Sequence, residues 1–252
     1  MDYPIILLSI AVFAAGFIDA AAGGGGLITF PAYMHYGLKT ELLLGTNKLS
    51  SFFGTLMAVI KYFSEISFEK RRLLLIFLSC LSGSFLGAFF ISKIPPEFLK
   101  YFLFAALPSV SVFMLAKGDF GLTDLSASFS DSSLNLRLSF FSFIISFYDG
   151  MLGPGTGTLL AFSYCRFAGY DLLKATALAK FANLISNLSA LLTFLYLGRV
   201  DIKLGLTMAA VSAAGNFLGS KAAIKKGASF IKPAIFLVSN ALLAKIFYDM
   251  VK

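Results

Sequence analysis

Two glycine-rich tracts, each a few residues after an aspartate, interrupt long apolar segments of this chain. The first reads Gly16-Phe17-Ile18-Asp19-Ala20-Ala21-Ala22-Gly23-Gly24-Gly25-Gly26. The second reads Tyr148-Asp149-Gly150-Met151-Leu152-Gly153-Pro154-Gly155-Thr156-Gly157-Thr158. Glycine lets a helix unwind and lets a ligand approach the main chain. A helix restarting after such a break presents unpaired N–H groups and a partial positive charge, which suits an anion. Close packing of small residues is the competing explanation. Four successive glycines exceed what packing requires, and Pro154 removes a backbone donor besides. Gly23, Gly24, Gly25, Gly26, Gly153, Gly155, Thr156 and Gly157 are therefore expected to contribute to substrate binding.

Lys48 and Lys180 stand inside apolar stretches, in Gly45-Thr46-Asn47-Lys48-Leu49-Ser50 and Lys174-Ala175-Thr176-Ala177-Leu178-Ala179-Lys180-Phe181. A lysine in lipid costs roughly a few kcal/mol. Two readings stay open: the ammonium groups balance an anion, or they snorkel to the headgroups from a helix end. Asn183 and Asn187 follow Lys180 at i+3 and i+7, and Thr176 precedes it at i−4, so all four share one helix face. Such a stripe either binds helices together or lines a path. Its length favours the path. Ser51 and Thr55 hold the corresponding places in the first half.

Asp19 and Asp149 are acids at matched sites within apolar segments. They either cap the turn that follows or carry a coupling proton. No catalytic residue and no metal site is expected. His35, the sole histidine, lacks a Cys or His partner and reads as an interfacial or core residue. Cys80 and Cys165 lie in apolar surroundings and read as packing residues. Gly83/Gly87 and Gly215/Gly219 form GxxxG patterns, expected at close helix crossings without a ligand role.

The elements that must position these groups are membrane helices. Of 252 residues, 58% are hydrophobic and only 13% charged, with a mean hydropathy of +0.84. Soluble domains carry about 25% charged residues. Uncharged stretches such as Leu73–Ser92, Phe181–Gly198 and Leu204–Ser220 approach a membrane crossing in length. The net charge of +8 comes largely from cations flanking apolar spans, which indicates headgroup anchoring and not nucleic-acid binding. The N-terminus lacks a basic n-region, so a cleaved signal peptide is not expected.

Eight apolar regions lie near 4–36, 42–63, 72–92, 98–116, 134–166, 171–198, 203–221 and 231–249. The first and fifth contain the breaks and are too long for simple spans. Each is either one crossing made of two half-helices or a helix followed by a re-entrant piece. Residues 117–135, rich in Ser, Asp and Gly, read as a loop between a first transmembrane repeat (1–116) and a second (136–252). Asp19/Asp149 and Gly25/Gly155 match at a shift of 130, and Lys48/Lys180, Glu69/Asp201 and Gly83/Gly215 at 132. An internal duplication of four spans per half explains the shared order. The predicted fold is thus an all-α integral membrane protein. It has about eight transmembrane helices from two homologous four-span repeats, with broken helices at the glycine-rich motifs. Loop charge does not orient it. Lys61, Lys70, Arg71 and Arg72 oppose Lys221, Lys225, Lys226 and Lys232 in a plain eight-span arrangement.

These motifs resemble the sulfite exporter TauE/SafE family of bacterial membrane permeases. The match runs through Gly16 to Asp19, Gly23 to Leu27, Pro31 and Gly45-Thr46-Asn47-Lys48. It resumes at Asp149-Gly150, Gly153 to Gly157 and Ala175-Thr176, and continues with Lys180, Asn183, Asn187 and Gly198. The resemblance implies a multi-pass protein of the bacterial inner membrane. It also implies export of sulfite, a sulfonate or a related small sulfur-containing anion, driven by the proton gradient. Thr46, Asn47 and Lys48 would then belong to the substrate site with Thr176, Lys180, Asn183 and Asn187.

The leading reading is a secondary transporter and not an enzyme, with no cofactor. Its partners are a small anion and the lipid bilayer, with a homodimer as an open expectation. No ATP-binding motif occurs, so coupling must draw on a gradient. An anion channel and an intramembrane aspartyl protease using Asp19 and Asp149 are the alternatives. The Gly-x-Gly-Asp site of such proteases is absent.

Overall fold

The computed structural model describes residues 3–95, 121–227, 229–231 and 233. Among them the chain is helical throughout, with no strand. Eight α-helices follow in order: α1 (Tyr3–Ala22), α2 (Gly26–His35), α3 (Thr40–Phe63), α4 (Lys70–Ser92), α5 (Asp131–Met151), α6 (Thr156–Ala168), α7 (Leu172–Tyr196) and α8 (Ile202–Lys226). Within this set α1 (from Pro4), α3, α4, α7 and α8 are long and apolar enough to cross a membrane. The predicted span near 98–116, and nearly all of that near 231–249, lies outside the described residues.

Helix lengths decide one open question. At about 1.5 Å per residue, the 20 residues of α1 reach about 30 Å, a full hydrocarbon thickness. The 10 residues of α2 reach only about half of that. In the second half α5 has 21 residues and α6 has 13. Each long apolar region is therefore a full-length helix followed by a short one, and not two equal halves. The linker is also shorter than expected at its far end. α5 starts at Asp131 because the Ser130 hydroxyl accepts the Ser133 N–H and caps it, so residues 131–135 are helical. Side-chain caps start α7 and α8 as well: Asp171 accepts from Lys174 N–H and Asp201 from Leu204 N–H. The described loop is held down by Lys174–Asp124 at 2.6 Å, while Arg72–Asp131 at 2.9 Å ties α4 to the start of α5.

Packing is reciprocal. α4 lies along α5 and α8 lies along α1, so each half's last described helix covers the other half's first helix. The GxxxG glycines make these crossings close. A β-carbon on Gly83 or Gly87 would collide with the Phe143 or Phe147 carbonyl oxygen, and one on Gly215 or Gly219 with that of Phe13 or Phe17. Inside this frame α3 and α7 pack on each other and carry the most deeply buried faces. The outer faces, including Leu78, Phe85, Phe89 and Leu206, are exposed and apolar, as a lipid boundary requires. Replacing Gly87 or Gly219 with Val should lower the melting temperature of the detergent-purified protein, because overpacking costs about 1–3 kcal/mol. Leu86→Val, at a side chain 46% exposed, should leave it within error of wild type.

Candidate functional site

Both glycine tracts are uncoiled. Gly23 and Gly24 take φ of 76° and 89°, and Gly153 and Gly155 take 95° and 79°. These left-handed conformations are open to glycine and costly for other residues. The two breaks, distant in sequence, touch. A β-carbon on Gly157 would lie 2.9 Å from the Gly23 Cα, and one on Gly26 would lie 3.3 Å from the Pro154 Cα. The Thr158 hydroxyl donates across the contact to the Ala22 carbonyl. Tyr62 OH donates to the Ala20 carbonyl at 2.9 Å, and Tyr148 OH to the Pro154 carbonyl at 2.7 Å. Three of the carbonyls at the breaks are thus satisfied by side-chain donors. Several donors are not: the N–H groups of Gly24, Gly26, Gly153 and Gly157 have no acceptor among the described residues.

Two buried ion pairs flank this contact, each joining opposite halves. The Lys48 ammonium donates to Asp149 Oδ2 at 2.7 Å, and the Lys180 ammonium to Asp19 Oδ2 at 2.8 Å. The Lys48 and Asp149 side chains are both 2% exposed, Lys180 is 1% exposed and Asp19 is 15% exposed. Snorkelling is therefore not how these lysines are accommodated. Each carboxylate has a second task. Asp19 Oδ1 accepts the Gly25 N–H at 2.9 Å, and Asp149 Oδ2 accepts the Ser186 hydroxyl. Capping and charge pairing thus coexist on Asp19. Lys48 also donates to Asn187 Oδ1 at 3.0 Å. With its own ammonium partner, neither aspartate fits a dyad in which two carboxylates share a proton.

A cavity of about 40 Å³ lies between the breaks, room for a few waters or a small ion. Of the residues expected from sequence, Gly24, Gly25, Gly26, Asn47, Lys48, Gly153, Gly157, Asn183 and Asn187 line it, as do Asp19 and Asp149. Others are placed differently. Gly23 is spent on the contact between the breaks, and Gly155 is the left-handed cap of α6. The Thr156 hydroxyl donates to the Gly153 carbonyl, closing the turn. Thr46 is turned away and accepts the Asp201 N–H at 2.9 Å. Thr176 back-bonds to the Leu172 carbonyl at 2.7 Å, too far down α7 to reach the cavity. Lys180 is bonded to Asp19, which lines the wall, and does not line it itself.

The expected lysine role changes accordingly. In this state neither ammonium is unpaired, because a carboxylate from the other half neutralises it. Sequence reading missed Gly16, Thr29, Ser212 and Asn216 as lining residues, while Ser51, the first-half counterpart of Asn183, lines it as well. Ser212 and Asn216, at i and i+4 on an apolar helix, were a legible signal overshadowed by the GxxxG pattern around Asn216. His35 sits exposed in the last turn of α2. Cys80 and Cys165 are buried and form no disulfide.

Long apolar helices enclosing a charged cavity at paired helix breaks define a multi-pass membrane transporter. The chain belongs to the sulfite exporter TauE/SafE family, whose model matches residues 8–246. It is 37% identical over 245 residues to a Sinorhizobium protein named "Probable membrane transporter protein ORF9", covering 97% of this chain and 93% of the relative. A "Probable membrane transporter protein" of Haemophilus influenzae is 36% identical over 252 residues, covering 99% and 98%. The Escherichia coli K12 "Probable membrane transporter protein YfcA" is 32% identical over 255 residues, covering 99% and 92%. No solved structure matches.

Proposed function

We propose that the protein is a secondary carrier of the bacterial inner membrane that exports a small oxyanion, sulfite or a sulfonate, coupled to the proton gradient. The observation that carries this reading is the meeting of the two breaks, with unpaired N–H groups and two lysine–aspartate pairs around one cavity. Unpaired amides at helix starts bind oxyanions. Paired helix breaks mark binding sites in carriers built from repeats. The reciprocal packing of α4 on α5 and α8 on α1 supports two homologous four-span units and a total of about eight spans.

Coupling follows from the ion pairs. Protonating Asp149 or Asp19 releases Lys48 or Lys180 from its partner, and the ammonium then turns its charge to an entering anion. When the anion leaves, the lysine reclaims the carboxylate and the proton is expelled. Carboxylate and anion thus compete for the same ammonium, so uptake of a proton by the aspartate and of an anion by the lysine are linked steps, and the two fluxes are coupled. Rocking of one half against the other alternates access.

The reading is tested in proteoliposomes. Sulfite or sulfonate flux should saturate and follow an imposed pH gradient. Asp19→Asn and Asp149→Asn should each keep anion exchange at equal concentrations while losing gradient-driven accumulation by about tenfold or more. A current that follows voltage without saturating would instead establish a channel.

A further inference from the structure

Asn216 carries the one feature of the cavity that an oxyanion alone does not explain. Its side chain is 2% exposed, and its Oδ1 has no hydrogen-bond partner among the described residues. The Nδ2 group donates to the Ser212 carbonyl at 3.0 Å and lies 3.4 Å from Ser212 Oγ. This sets the orientation of the amide. Turning it over would place Oδ1 against the Ser212 carbonyl, acceptor on acceptor. Asn216 lines the cavity, and the carbonyl end of its amide is the end left unmatched; buried polar atoms are rarely left so.

The surroundings make room for this amide. α8 crosses α1 and α3 where they carry glycine. A β-carbon on Gly16 would lie 2.8 Å from Asn216 Nδ2, and one on Gly54 would also collide with the Asn216 amide. The residue 132 positions earlier, Ser84, does not line the cavity, and its hydroxyl donates to the Ser186 carbonyl. The spare acceptor therefore belongs to one side of the cavity only. The same cavity is lined by Gly24, Gly26, Gly153 and Gly157, whose N–H groups have no acceptor among the described residues.

We propose that Asn216 makes the site selective for a small monoanion that also carries a hydrogen-bond donor, an O–H or N–H group, over one that presents only oxygens or alkyl groups. The inference rests on the reading of this cavity as the substrate site. The oxygens of the ligand take the amides of the breaks, and its donor satisfies Asn216 Oδ1. A polar group built to pair with a ligand donor discriminates strongly against the isostere that lacks it, since the protein atom is then left unpaired.

Sulfamate and methanesulfonate provide the test. Both are singly charged, of the same shape, and differ in an amino group against a methyl group. Calorimetric titration of the purified protein should show sulfamate binding about tenfold or more tightly. Asn216→Leu should bring the ratio to about one. Equal affinities in the wild-type protein would overturn the proposal and leave the anion site standing. Failure of both probes and of sulfite to bind would remove the anion site and this inference with it. The wild-type ratio decides the matter even where the variant does not fold.

Discussion

Lys48→Met is expected to be among the most damaging single substitutions in the protein, and its rescue pattern is the informative part. The ammonium it removes is bonded to Asp149 at 2.7 Å, with both side chains 2% exposed. Methionine approximates the lysine stem but leaves the Asp149 carboxylate buried without a counter-charge. Breaking one partner of a buried pair costs about 3–5 kcal/mol, far more than the net worth of the intact pair. Lys48→Met should therefore lower the melting temperature by many degrees, and the double variant Lys48→Met/Asp149→Asn should recover most of that loss. On the proposed mechanism transport should not recover, because the double variant has neither the Lys48 ammonium nor the Asp149 carboxylate. Lys180→Met with Asp19→Asn should behave alike, with a smaller stability loss because Asp19 is 15% exposed and better hydrated. Unchanged anion flux in both single variants would remove the lysines from the mechanism.

Gly23→Ala should abolish function by a different route. Gly23 stands at φ 76°, and a β-carbon there would run into the Thr158 backbone of the opposite break. The left-handed conformation costs a non-glycine residue about 1–2 kcal/mol. The collision adds a second penalty that neither backbone can relieve without separating the breaks. Separation would dismantle the wall that holds the N–H groups of Gly24, Gly26 and Gly157 together. Flux is expected to fall by about a hundredfold or more, with the protein still inserted in the membrane. Gly37→Ala is the matching control. Gly37 has φ 91° but nothing within 4 Å of an added β-carbon, so it carries the backbone strain without the collision. Normal flux in Gly37→Ala and loss in Gly23→Ala would separate the two causes. Loss of flux in both would reduce the effect to general destabilisation.

Much of this arrangement was legible in the amino-acid order. Composition and uncharged runs required membrane helices, since no soluble fold buries so much apolar surface with so little charge. Glycine tracts located both helix breaks, because their local conformation follows from residues a few positions apart. The GxxxG pairs marked the close crossings for the same reason: absence of a β-carbon is a local property. Lys48, Lys180, Asn183 and Asn187 stood out because charge and amide groups are costly at those depths. Helix starts were less legible. Ser130 capping moved the beginning of α5 into what read as a polar linker.

Tertiary structure alone decided who meets whom. Asp149 lies 101 residues from Lys48, and Asp19 lies 161 residues from Lys180, and no periodicity encodes a partner at such a separation. Helical spacing put Thr176 on the same stripe as Asn183. Only the position of the cavity along α7 showed that Thr176 lies beyond it and spends its hydroxyl on its own helix. Thr46 sits beside Asn47 and Lys48 in sequence yet faces another loop, since successive helical residues point about 100° apart. Asn216 read as part of a packing motif until α8 was laid against Gly16 and Gly54. Local order settled which residues were unusual. The crossing of helices from opposite halves, a matter of shape and long-range contact, settled which of them share a site.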